Sequence, residues 1–146
     1  MKTTKSNTGY LEWLNAEEMH TKSLEWLSDL RFIKNEQNFF EKLIKSYQFD
    51  LINSSHIMAS EKIIKQLRSI KKETKKLLAS VQSHANKLEI IVDDIEQPLE
   101  EEAYRKEHLK LIITVAEFLR KYQQLKMKFF NLIKGILKEK QQKLLV

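Results

Sequence analysis

A chain of 146 residues, 42% apolar and 32% charged, can bury a core as one domain and is too apolar for global disorder. Two glycines, one proline and no cysteine exclude a turn-rich β fold, a disulfide scaffold, a thiol nucleophile and a thiolate metal site. The net charge of +6 tilts partner preference toward anions but defines no partner.

Residues 1–9 are polar and aperiodic and read as a disordered tail, leaving 10–146 as a single domain. The opening residues hold no apolar run of the kind a secretion signal uses. No stretch approaches the roughly 18 apolar residues of a membrane span, so a cytoplasmic location is expected.

The first helix is predicted over about 16–50. Asn15 with Glu18 three residues on resembles a capping box, the signature of a helix start. Met19, Trp26, Ile33, Phe40 and Tyr47 then recur every seven residues, with Ser23, Leu30, Gln37 and Ile44 as the companion series. A strict heptad keeps one seam facing its partners and predicts coiled-coil-like packing. Asn53, Ser54 and Ser55 mark the first turn.

The second helix is predicted over about 55–96. Its apolar seam runs Ser60, Ile63, Leu67, Ile70, Thr74, Leu77, Val81, His84, Leu88, Ile91, Ile95 in unbroken 4-3 spacing. Pro98, the only proline, suits the first turn of a third helix over about 98–140. That helix repeats the pattern from Tyr104 and His108 through Phe118, Tyr122 and Phe129 to Ile136. Gly135 predicts fraying or a bend near its end. The fold class expected is all-α: an elongated antiparallel up-down-up three-helix bundle.

One stretch carries a likeness to known proteins. His20, Trp26, Leu27, Ser28, Leu30, Phe32 and Glu36 form the pattern H-x5-WLS-x-L-x-F-x3-E. It resembles the opening helix of a group of small bacterial three-helix proteins. The likeness continues loosely through a histidine late in helix 2 and one early in helix 3. The resemblance implies the fold and carries no activity with it.

Glu17 and His20 form Glu-x-x-His, half the ligand set of a di-iron bundle. No second copy precedes His56, His84 or His108, so the di-iron reading fails. The histidines are nevertheless not scattered. Counting outward from turns centred near Asn53 and Pro98 places His20, His84 and His108 near one height, one on each helix. Such a layer reads first as a polar device fixing register, then as a pH-sensitive element. As a site for a divalent metal it would use the three histidines, with Glu17 or Glu107 as the further ligand.

Charge is also segregated. Residues 61–78 carry seven basic and two acidic side chains, and 120–146 carry eight basic and one acidic. Lys65, Arg68, Lys71, Lys72, Lys75, Lys76, Lys126 and Lys128 form the candidate basic patch for nucleic acid. Against that reading, arginine is rare and aromatics are not interleaved with the lysines. No phosphate loop, catalytic motif or organic cofactor signature is present.

Three functional readings follow. The first is a cytosolic helical interaction or structural module with a protein partner or a second copy, in which Phe32, Phe39 and Phe49, off the main seam, widen the core or form a dimer face. The second is a metal- or pH-responsive bundle using the histidine layer. The third is nucleic-acid binding through the basic half.

Overall fold

The computed structural model describes residues 14–93 and 98–145. They form four helices and no strand: α1 Ala16–Ser46, α2 Gln48–Ile52, α3 Ile57–Asp93 and α4 Pro98–Leu145. The expected tail at 1–9 and the seam position Ile95 lie outside the described residues. No described helix is long and apolar enough to cross a membrane.

The heptad reading locates the core. Met19, Ser23, Trp26, Leu30, Ile33, Gln37 and Phe40 are all buried. So is every α3 seam position from Ser60 to Ile91 and every α4 position from His108 to Ile136. Burying each large aliphatic or aromatic side chain stabilises the fold by about 1.5–3 kcal/mol. This, more than intrinsic propensity, holds helices with so many lysines and glutamates together.

Boundaries follow local hydrogen bonding. At the start of α1, Asn15 Oδ1 accepts the Glu18 backbone N–H at 2.8 Å, as a helix cap should. Helix 1 was expected to continue to Asp50 but ends at Ser46. Tyr47 departs from helical geometry, and the short α2 that follows buries Leu51. Asn53 closes α2 by donating its side-chain amide to the Phe49 carbonyl at 2.9 Å. Ser54 Oγ then accepts the His56 N–H at 3.1 Å just before α3 begins.

The chain divides into two compact units. The described part of the first is 14–31, 76–93 and 98–117. Here Leu14, Ala16 and Met19 pack with Leu88 and Ile91, and Tyr104 lies against them. Arg31 donates to Gln82 at 3.1 Å, so within this unit α1 and α3 run antiparallel. Tyr104 lies against the cluster of Leu88 and Ile91 while Glu107, further along α4, meets His84, so α3 and α4 run antiparallel here too.

The second unit comprises 32–75 and 118–145. Phe40 is its centre, with ring centroids 4.9 Å from Phe129 and 5.4 Å, edge-on, from Phe130. Such pairs add about 0.5–1.5 kcal/mol beyond burial. Gln37 donates to Thr74 at 2.9 Å, and Lys71 pairs with Glu41 at 2.5 Å. Glu36 accepts from Tyr122 at 2.7 Å and from Lys126 at 3.1 Å. Both burial and this bond to a carboxylate push the Tyr122 phenol well above its usual range, burial most.

Gly135 does not end α4, which continues to Leu145. A Cβ at Gly135 would stand 3.4 Å from His56 Nε2, an ordinary contact distance. Gly135→Ala should therefore raise stability by about 0.5–1 kcal/mol through helix propensity. The urea midpoint measures it; a lowered midpoint would show that the His56 ring cannot yield.

Candidate functional site

The strongest concentration of chemistry in the first unit is a buried polar pair in an otherwise apolar seam. His84 stands on α3 between Val81 and Leu88, and His108 on α4 one turn before Leu111. They are 0% and 1% exposed. His84 Nε2 lies 3.0 Å from His108 Nδ1, and His84 Nδ1 lies 2.7 Å from Glu107 Oε1. The two rings stack at 5.2 Å, and Trp26 of α1 stacks on His108 at 4.8 Å.

This geometry dictates the protons. The Glu107 carboxylate only accepts, so His84 donates from Nδ1. Neutral His84 then accepts at Nε2, and His108 must donate from Nδ1. One chain of two bonds fixes both tautomers. Burial holds both imidazoles below their ordinary pKa. For His84 the Glu107 bond and charge oppose that shift, and Lys87 adds to it. For His108 no carboxylate helps, while the neighbouring His84 and Lys22 push further, and its pKa falls to about 4.

The third expected member is elsewhere. His20 is half-buried, and α1 presents Trp26 to the pair instead. The reason is register. Trp26, six residues beyond His20 on α1, is the α1 side chain that meets the pair, and six residues of rise leave His20 roughly 9 Å away along the axis, at 1.5 Å per residue. Among the described residues, no group of three or more His, Asp or Glu side chains is arranged to hold a metal ion. Of the two carboxylates considered as further ligands, Glu107 joins the pair and Glu17 is exposed at the start of α1.

The candidate basic patch is partly neutralised within its own unit. Lys71 pairs with Glu41 and Lys126 with Glu36. Lys65, Arg68, Lys72, Lys75 and Lys128 are exposed in the second unit, and Lys76 is exposed in the first. Lys121, outside the expected patch, pairs with Glu73 at 2.9 Å.

The three off-seam phenylalanines do not widen the core: Phe32, Phe39 and Phe49 are 65%, 53% and 76% exposed. Two further features escaped sequence reasoning. Trp26 was placed in the seam but not in the histidine layer. The Glu36–Tyr122–Lys126 cluster joins residues on separate helices, and spacing along one helix gives no signal for such a contact.

No protein-family model matches this chain, and comparisons with curated proteins and with solved structures find no match.

Proposed function

We propose that the chain is an antiparallel up-down-up three-helix bundle serving as a cytosolic interaction module, and that its first partner is a second copy of itself. An uncovered aromatic stripe carries this reading. Phe32 and Phe39 stand one heptad apart on α1, and Phe130 of α4 is 44% exposed. Phe39 and Phe130 both touch the buried Phe40 ring, at 6.4 and 5.4 Å, so the stripe borders the core. Exposed apolar groups gathered in this way mark interaction surfaces.

Asn35, between the two phenylalanines, is exposed and neutral, and Asp29 and Lys42 at the two ends of the stripe are exposed and opposite in charge, so an antiparallel two-fold mate sets no like charges against each other there. Sedimentation velocity should show a concentration-dependent dimer. The double variant Phe32→Glu, Phe39→Glu should sediment as a monomer with unchanged helical circular dichroism. A wild-type chain that stays monomeric at millimolar concentration removes the self-association reading.

A second reading, the pH-responsive bundle, is favoured by the His84–His108 pair. Both groups are buried and neutral at pH 7, and their shared bond supports only some protonation states. The pair is too enclosed for a substrate to reach, which supports a structural or proton-responsive role over catalysis.

A further inference from the structure

Within the second unit, the turn that joins α2 to α3 gathers exposed apolar side chains. Phe49 and Ile52 stand three apart on one face of α2, 76% and 57% exposed, while Leu51 turns into the core. Met58, in the first turn of α3, is 82% exposed. The end of α4 reaches the same place. Gly135 lies against His56, Glu139 accepts from Ser55, and Lys140 pairs with Asp50. Leu144, one turn beyond Lys140, is 80% exposed. Neither the heptad seam nor the Phe32–Phe39 stripe uses these four groups, and apolar exposure gathered in this way marks an interaction surface.

The charges around them narrow the partner. Residues 45–62 and 134–144 hold six lysines against three acids. Two of the acids are engaged within the unit. Asp50 pairs with Lys140 at 3.5 Å. Glu139 accepts the Ser55 backbone N–H and hydroxyl, both at 3.2 Å, and lies 3.7 Å from His56 Nε2. Glu61 is the exposed acid, whereas Lys45, Lys62, Lys138 and Lys143 are exposed in the same stretches. Met58, Lys62 and Lys65 follow one face of α3 at four- and three-residue spacing, so an apolar side chain and two ammonium groups are presented together.

That combination discriminates among partners. A second copy docked on the same end would set lysines against lysines. A nucleic acid would neutralise the lysines and leave Ile52 and Met58 in water. An anionic lipid surface takes both kinds of group. Apolar side chains enter the acyl boundary, and lysines stay at headgroup level with their stems along the apolar phase.

We propose that the α2–α3 turn, with the end of α4, docks on an anionic lipid surface. Phe49, Ile52, Met58 and Leu144 enter the interface, and Lys45, Lys62, Lys138 and Lys143 meet the anionic headgroups.

The test is co-sedimentation of the full chain with vesicles of phosphatidylcholine alone or with about one-third phosphatidylserine. The mixed vesicles should bind it at least about tenfold more tightly, and raising salt from about 0.1 to 0.5 M should weaken that binding. Phe49→Ser with Met58→Ser changes exposed positions, so helical circular dichroism should stay while binding falls about tenfold or more. Lys62→Gln and Lys138→Gln should each weaken it roughly fivefold. Phe32→Ser with Phe39→Ser should bind as the wild type does. A wild-type chain that stays in the supernatant with mixed vesicles would overturn the proposal, and so would equal binding to both vesicles. Unchanged binding by the Phe49, Met58 variant would overturn it too, as would loss of binding by the Phe32, Phe39 variant, which places the lipid face elsewhere.

Discussion

Trp26→Ala is expected to destabilise the protein by about 3–5 kcal/mol, the usual cost of deleting a core aromatic. Trp26 is 5% exposed, and its heptad neighbours Met19 and Leu30 are fully buried. Its ring covers one face of His108. Removing the indole thus leaves a large void and also opens a buried hydrogen-bonded pair to water. Total stability of a chain this size is about 5–15 kcal/mol, so the variant should sit close to unfolding at room temperature. Trp26→Phe keeps most of the volume and the stacking, and should lose much less. Urea titrations followed by circular dichroism give both values. A loss below 1 kcal/mol for the alanine variant would mean that the seam of α1 is misplaced.

The core was legible because a seven-residue repeat is a property of one helix at a time. Whether Ile63, Leu67 and Ile70 are buried depends on their common face, and the sequence states that face directly. Contacts between helices depend on register as well, and register is set by turn geometry that spacing leaves open. A difference of six residues along α1 was enough to exchange His20 for Trp26 beside His108. His84 and His108 tolerated the error because they started within a turn of each other. The end of helix 1 was lost for a different reason. No glycine or proline lies between Ser46 and Ile52, and the break at Tyr47 instead accompanies the burial of Leu51. Fine placement of polar partners was the least legible of all. Gln37 and Thr74 were both recognised as seam positions, yet only their height on two antiparallel helices makes them bond.

Acidification should weaken the fold before its carboxylates titrate, and the sign follows from the histidine pair. Burial chiefly, with His84 and Lys22, lowers the His108 pKa to about 4, against 6.5 for an ordinary histidine. His84 shifts the same way, with burial and Lys87 outweighing Glu107. Between pH 6.5 and about 4 the unfolded chain therefore binds protons that the folded chain refuses. Stability is complete above pH 6.5 and falls as the pH drops through this window. With the His108 pKa lowered to about 4, the loss by pH 4 is on the order of a few kcal/mol. The bond between the rings sharpens the effect. A first proton can enter at His84 Nε2, on the ring that Glu107 holds through Nδ1, if His108 moves its own proton to Nε2 and accepts at Nδ1. A second leaves two donors facing each other across 3.0 Å in a buried site, and the pair must open. Urea unfolding at pH 7.5, 6.5, 5.5 and 5.0 should give a free energy nearly level between the first two and falling through the last two. His108→Gln, which cannot take up that proton, should flatten the slope while costing stability at pH 7.5. A wild-type stability that rises from pH 7.5 to 5.0 would show that the folded pair holds protons more tightly than the unfolded chain, one that stays level would show no difference between them, and either result removes the proton-responsive reading.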